Sequence, residues 1–263
     1  MNENNKPDKS LGQHWLKDTL VLDQIASFAK ITELDTVLEI GPGLGTLTEV
    51  LSDQAGKVVA VEFDEKLADK LARRHIKKTE VIAGDFLQFD LSKLPSEYKV
   101  VANVPYYITS KIIEKLLTSD KPPSLTVLLV QKEVAQRLAA VGGKHSILSI
   151  SAQLFCNVRL GDVVTADMFT PPPKVDSQIV ILEPHLEPLF SDFNEKEFFR
   201  IVKAGFLQKR KKIYTSLSAG LALDKEKTKE LLTHVGIDPN QRAENISLDE
   251  WWELTKEIKN DLQ

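Results

Sequence analysis

Over roughly the first 183 residues, short apolar runs alternate with stretches whose apolar positions recur every three to four residues. Thr36–Ile40, Lys57–Val61, Glu80–Ala83, Lys99–Ala102 and Thr126–Val130 read as strands, being β-branched and bounded by turn residues. Between them, Leu47–Leu51, Glu65–Arg74, Ser110–Leu117 and Glu133–Ala140 have the spacing of amphipathic helices. This alternation predicts an α/β fold with a mostly parallel sheet and helices on both faces. Two further β-rich runs, Asn157–Val164 and Val175–Leu182, flank Thr170-Pro171-Pro172-Pro173 with no helical pattern between them, so they are expected to pair antiparallel at the sheet edge and complete seven strands. After Glu183-Pro184 the β-branched runs stop. Helical patterns follow at Glu195–Phe206, Lys209–Ser218, Lys225–His234 and Leu248–Ile258. The expected division is an α/β domain over residues 1–184 and a small all-α domain over 185–263.

With 263 residues, 42% hydrophobic and 27% charged, the chain can bury one substantial core and a smaller second one. The first ten residues are polar, and no stretch approaches the roughly 18 uninterrupted apolar residues of a membrane span. A cytoplasmic, non-membrane protein is expected, a monomer by default. The single cysteine, Cys156, lies among apolar residues as a buried, inert thiol would. The five histidines are scattered without paired spacing, so no metal site is expected.

A net charge of -4 argues against indiscriminate coating of nucleic acid and leaves room for a local basic patch. The densest candidate is Lys209-Arg210-Lys211-Lys212, supported by Lys203 and Arg200; a solvated helix face would look the same.

Candidate chemistry concentrates where strands end. Val37-Leu38-Glu39-Ile40-Gly41-Pro42-Gly43-Leu44-Gly45 is an apolar strand running into a glycine-rich turn and a helix, so at Gly41 and Gly43 a ligand can approach the backbone closely. The dinucleotide fingerprint puts its third glycine where Thr46 stands, one residue beyond Gly45, which disfavours NAD or FAD. Glu62, at the next strand end, is placed to accept from ribose hydroxyls. Asp85 and Phe86, at the third, suit an adenine amine and an adenine face.

The fourth strand ends in Asn103-Val104-Pro105-Tyr106. An aromatic amine is a poor nucleophile because its lone pair is delocalised into the ring. An Asn carbonyl and a following backbone carbonyl can accept from such an amine, localise the lone pair and aim it at an electrophilic methyl. Pro105 restricts Val104 to an extended conformation and so fixes that backbone carbonyl, while Tyr106 offers a face for a base. The tetrapeptide alone fits amine methylation on DNA or RNA.

At these residues the sequence resembles the adenine dimethyltransferases of ribosomal RNA, and among them those of the bacterial small subunit (16S). The resemblance spans nearly the whole chain. It runs through Leu11-Gly12-Gln13-His14-Trp15-Leu16, Glu39 to Gly45, Asn103 to Tyr106, Gln131 to Arg137, Phe169 to Ser177 (FTPPPKVDS), Arg210-Lys211-Lys212 and Arg242 to Ser247. It implies a Rossmann-like class I methyltransferase fold and S-adenosylmethionine as methyl donor, contacted by His14, Leu16, Gly41, Glu62, Asp85 and Asn103. It also implies that Tyr106 and Phe169 sandwich a flipped-out adenine, and that the substrate is 16S rRNA in an immature small ribosomal subunit. Base extraction is physically required, since the amine must leave its stack to meet the methyl group. The chain departs from the family in having His14-Trp15 where Asn-Phe is usual, and in lacking Tyr-Gly-Arg within Val141–Ile147.

Within the same fold, large-subunit adenine methyltransferases of the erythromycin-resistance type share the glycine-rich turn and the Asn-x-Pro-Tyr pattern; the wording of Phe169–Ser177 and the tail favour the small-subunit group. A non-enzymatic RNA-binding assembly factor is disfavoured by the intact Asn103, Pro105 and Tyr106. A dinucleotide oxidoreductase is disfavoured by the glycine spacing.

Overall fold

Val, Ile, Leu and Ala runs without polar alternation form strands buried on both faces, as a parallel sheet covered by helices requires. In the computed structural model, which describes residues 13–16, 18–191 and 194–261, nine strands are present. They are β1 (Trp15–Leu16), β2 (Thr36–Ile40), β3 (Lys57–Glu62), β4 (Thr79–Ala83), β5 (Lys99–Asn103), β6 (Leu125–Gln131), β7 (Cys156–Val164), β8 (Phe169–Thr170) and β9 (Ser177–Pro184). Leu11 and Gly12 lie outside the described residues.

Seven strands form one sheet in the order β4-β3-β2-β5-β6-β9-β7. The first five pair in parallel, and β9 runs antiparallel to both β6 and β7. Strand order reverses beside β2, which has β3 on one side and β5 on the other. In doubly wound sheets ligands bind in the crevice that opens at such a point, outside the carboxyl ends of the strands. The seven strands expected from the hydrophobic pattern are thus all present, each within about two residues of its expected bounds, which is ordinary scatter for strand ends.

The sheet's helices are α1 (Thr19–Phe28), α2 (Thr46–Gln54), α3 (Glu65–Ala72) and α4 (Thr109–Leu117). Asp18 caps α1 by accepting from Leu20 N and Val21 N at 3.0 and 3.2 Å, and Asp64 caps α3 by accepting from Lys66 N and Leu67 N at 2.9 and 3.2 Å. One face of the sheet buries Val37, Val101, Val127 and Ile179 against Leu22, Ile25 and Ala26 of α1 and Leu47 and Leu51 of α2.

By contacts the chain divides into two units, Met1–Ala135 with Cys156–Pro184, and Gln136–Phe155 with His185–Gln263. The chain first passes between them within α5 (Lys132–Leu138). The helical unit therefore takes in a segment that the hydrophobic pattern placed in the α/β domain. Its cause is α6 (Ile147–Phe155), whose Ile150 and Leu154 belong to the apolar core of Phe198, Ile201, Val202, Trp251 and Leu254.

The remaining helices are α7 (Glu195–Gly205), α8 (Ile213–Leu221), α9 (Lys225–His234) and α10 (Leu248–Asp261). The helix expected from Lys209 begins instead at Ile213. Its first amides are satisfied by loop carbonyls, Ile213 N donating to Gln241 O at 2.8 Å and Tyr214 N to Pro239 O at 3.5 Å. Lys209 to Lys212 consequently occupy the turn before it, where four adjacent cations need not share one helical turn. At the other end of the unit, Ser247 and Glu250 form a capping box for α10: Ser247 N donates to Glu250 Oε2 at 2.7 Å, and Glu250 N to Ser247 Oγ at 3.2 Å.

Candidate active site

Gly41 and Gly45 hold φ of +68° and +79°, which lets β2 turn sharply into α2. At Gly45 there is a second constraint, because a Cβ would come within 2.3 Å of Leu71 Cδ1 on α3. The third glycine thus falls at 45 for its left-handed backbone first and its packing second.

Glu62, at the end of β3, is 6% exposed. Its Oε2 accepts from Gly43 N and its Oε1 from Asp64 N, each at 2.9 Å. Burial pushes this carboxyl up, and the backbone amides of Asp64 and Gly43 oppose that rise. Each oxygen keeps a lone pair beyond the one already used, so the carboxylate is fixed in place and can still accept two hydroxyls.

At the end of β5, Asn103 Nδ2 donates to His14 O at 3.3 Å, leaving Oδ1 as an acceptor. Val104 is buried, with its N donating to Leu129 O at 3.4 Å. The Pro105 carbonyl is engaged by Ile108 N at 3.3 Å and Thr109 Oγ1 at 3.2 Å, so the Val104 carbonyl is the one suited to an incoming amine. The Tyr106 hydroxyl lies 2.6 Å from Ser177 Oγ, and its ring stacks with His14 at 5.8 Å between centroids.

A short ladder not legible in the hydrophobic pattern delivers residues 13 to 16 to this place. β1 pairs antiparallel with β8, Trp15 opposite Thr170 and Leu16 opposite Phe169. His14 Nδ1 lies 2.7 Å from Pro171 O, and Thr46 Oγ1 donates to Leu16 O at 3.0 Å. The stretch Phe169–Ser177 thus braces the site from behind.

An open cleft results. His14, Leu16, Gly41, Gly43, Glu62, Asn103, Pro105 and Tyr106 all line it. Trp15, Glu39, Phe63 and Tyr107 line it too, although sequence reasoning gave none of them a role in the site. For Glu39 a signal existed, a lone charge inside an otherwise apolar strand. Phe63 and Tyr107 are 59% and 61% exposed.

Asp85 and Phe169 do not line the cleft. The Asp85 carboxylate caps the short turn after β4, accepting from Leu87 N at 2.8 Å. Phe169 is 3% exposed, because pairing with Leu16 turns its ring into the core. The expectation that Phe86 offers its ring to an adenine is corrected: it is 4% exposed and covered by the Lys115 ammonium, 5.2 Å from its centroid. That ammonium is held over the ring by the carbonyls of Phe86 and Leu87, at 3.0 and 2.9 Å.

Two buried polar atoms on cleft-lining residues have no hydrogen-bond partner, Trp15 Nε1 and Glu39 Oε2. Burial pushes the Glu39 carboxyl up to about 8, the Thr48 hydroxyl opposing the rise and the Glu62 carboxylate adding to it. An unmatched donor and an unmatched acceptor in one cleft fit a ligand that carries both kinds of group.

In the helical unit, Lys203 on α7 and Lys209, Arg210, Lys211 and Lys212 in the following turn are exposed. Lys212 Nζ donates to Asn240 Oδ1 at 2.7 Å. Among the described residues, no carboxylate forms an ion pair with any of the five. Cys156 is buried, which pushes its thiol up to about 12 and leaves it unreactive. Among the described residues, no helix is long and apolar enough to cross a membrane.

Residues 4–260 match the family described as ribosomal RNA adenine dimethylase. Proteins named ribosomal RNA small subunit methyltransferase A are similar along most of their length. That of Dehalococcoides mccartyi is 39% identical over 248 residues, 92% of this chain and 85% of the relative. That of Bacillus mycoides is 40% identical over 264 residues, covering 95% and 90%. Among solved structures, a dimethyladenosine transferase from Plasmodium falciparum aligns with a TM-score of 0.79 at 29% identity, covering 94% of this chain and 98% of that one. The 23S rRNA methyltransferase ErmE aligns with a TM-score of 0.76 at 27% identity, covering 93% and 99%. The fold is that of the class I methyltransferases, and S-adenosylmethionine is the methyl donor. The chain belongs to the ribosomal RNA adenine dimethylase family.

Proposed function

We propose that this protein transfers up to two methyl groups to N6 of each of two adjacent adenines in a hairpin loop near the 3′ end of 16S rRNA, acting in the cytoplasm on an immature small ribosomal subunit. The observation that carries this reading is the position of Asn103, Val104 and Tyr106 in the same cleft as the glycine-rich turn and Glu62. An amine-aligning group and a nucleoside-binding group share one cavity.

S-adenosylmethionine, when bound, supplies an electrophilic methyl group and departs as the thioether. Glu62 would hold the ribose hydroxyls, with Gly43 N and Asp64 N fixing the orientation of its carboxylate. Gly41 and Gly43 allow close approach of the backbone, and His14 and Leu16 close the cleft from β1. Asn103 Oδ1 and the Val104 carbonyl accept from the two protons of the target amine, which localises its lone pair and aims it. Tyr106 stacks on the base, its ring tethered through its hydroxyl to Ser177. Transfer would form the nitrogen–carbon bond as the carbon–sulfur bond of the methyl donor breaks. The nitrogen, now acidic, gives its proton to water, so the chain needs no strong base. A monomethylated amine keeps one N–H for one carbonyl and can rotate, which permits the second transfer. Asp85 and Phe169, outside the cleft lining, enter this reading through the family resemblance.

Lys203 and Lys209 to Lys212 contact phosphates of the RNA. The choice of the small subunit is supported by the names of the curated relatives at 38–40% identity, against 27% for ErmE. The test is incubation with labelled S-adenosylmethionine and either unmethylated small subunits or free 23S RNA, followed by mapping of the modified nucleotides. Label confined to two adjacent adenines of 16S rRNA is expected; label in 23S RNA alone would overturn the substrate, and none in either would overturn the activity.

A further inference from the structure

Trp15 presents an indole N–H that is fully buried and bonded to nothing, on a residue lining the cleft. Its position is set by three neighbours. The antiparallel pair with Thr170 fixes the backbone. Asn103 Nδ2 holds the preceding carbonyl. Gly43 borders the ring, an added Cβ there standing at ordinary contact distance, 3.5 Å, from both Cδ1 and Nε1 of the indole. An indole nitrogen donates and cannot accept, so its missing partner is an acceptor. The second orphan of the cleft, Glu39 Oε2, belongs to a carboxyl on a residue 2% exposed, and in its ionised form the partner it lacks is a donor.

The α-amino acid group of the methyl donor offers both at adjacent positions as full charges, a carboxylate that accepts and an ammonium that donates. Adenine and ribose are uncharged and leave a buried carboxylate without compensation, whereas an ammonium supplies the opposite charge. Resting on the reading of this cleft as the S-adenosylmethionine site, we propose that Trp15 is a further cofactor-binding residue, its Nε1–H donating to the α-carboxylate of the methyl donor while Glu39 Oε2 receives the α-ammonium. Phenylalanine, usual in the family at this position, has no such donor, so the contact belongs to this chain's own sequence.

The test compares two ligands by titration calorimetry with the full chain: S-adenosylhomocysteine, which keeps the amino acid group, and 5′-methylthioadenosine, which keeps the adenine and ribose and lacks it. Trp15→Phe removes the N–H and keeps an aromatic ring. It is expected to weaken S-adenosylhomocysteine by about tenfold or more, the usual effect of losing a hydrogen bond to a charged group, and to leave 5′-methylthioadenosine within about twofold. Glu39→Gln is expected to show the same split. In the wild type, the indole N–H resonance of Trp15 shifts downfield with S-adenosylhomocysteine and stays in place with 5′-methylthioadenosine, a readout that needs no variant to fold. Unchanged S-adenosylhomocysteine affinity in Trp15→Phe, or equal loss for both ligands, would overturn the assignment, the latter by placing the indole against the nucleoside. Failure of the wild type to bind S-adenosylhomocysteine at all would overturn the cofactor reading together with it.

Discussion

Asn103 Nδ2 donates to the backbone carbonyl of His14, 89 residues earlier, at 3.3 Å. One amide thereby holds the β1 segment at the cleft and keeps its own oxygen pointed away from that bond as an acceptor. Asn103→Ala removes both functions. Methyl transfer is expected to fall by about 100-fold or more, the scale of losing alignment at a reacting atom. Affinity for RNA is expected to stay within about twofold, because phosphate contacts dominate it. Single-turnover rates and RNA binding measured side by side check this, and undiminished turnover would refute the role given to Asn103.

Gly45 holds φ of +79°, and a Cβ added there would come within 2.3 Å of Leu71 Cδ1, so that side chain would have to shift. Gly45→Ala meets overpacking and a left-handed backbone at once. A loss of about 2 kcal/mol or more is expected, a fall in Tm of several degrees in a chain of this size. Thermal unfolding of the two proteins measures it. Because the strain sits at the start of α2, affinity for S-adenosylhomocysteine should fall as well.

The fold was legible in the sequence wherever burial is two-sided and local. The parallel strands are unbroken Val, Ile and Leu runs ended by turn residues, and all seven of the sheet are found in the expected places. α6 is apolar on most sides, so no 3.6-residue contrast marks it, and only its packing with Phe198 and Trp251 assigns it to the helical unit. β1 and β8 are two residues each and exist through pairing across 153 residues, which no local pattern carries. The same division holds in the site. Gly41, Glu62 and Asn103 announce themselves at strand ends, while Ser177 acts only by meeting Tyr106. Phe86 misled because an aromatic residue after a strand suits either a ligand or a core, and here the Lys115 ammonium covers it.

Arg210 and Lys211 stand exposed in the turn before α8, with no ion pair among the described residues. Each phosphate contact releases counterion, so the logarithm of RNA affinity falls with the logarithm of salt at about 0.7 per contact on single strands. Reversing both charges is expected to weaken binding and to make that slope shallower by about 1 to 1.5. Anisotropy titrations over a range of KCl concentrations report it. A slope equal to that of the wild type would remove this turn from the RNA interface.

Glu39 couples the stability of the protein to pH through its burial. Its carboxyl is pushed from the model-compound value of 4.5 up to about 8, with burial the main cause and the Glu62 charge adding to it. Between those two values the folded state binds a proton that the unfolded state has released. Stability from this group is therefore complete below the lower value and declines as pH rises through the upper one. Glu39→Gln carries no titrating proton and escapes that decline. In the absence of added cofactor, the Tm of the variant minus that of the wild type is expected to grow steadily from about pH 5 to about pH 8. Parallel melts across that range test it. Saturating S-adenosylhomocysteine should shrink the difference, since an ammonium beside Glu39 stabilises its charged form in the wild type and finds only a neutral amide in the variant. A difference independent of pH would mean that Glu39 is ionised throughout and already compensated within the protein.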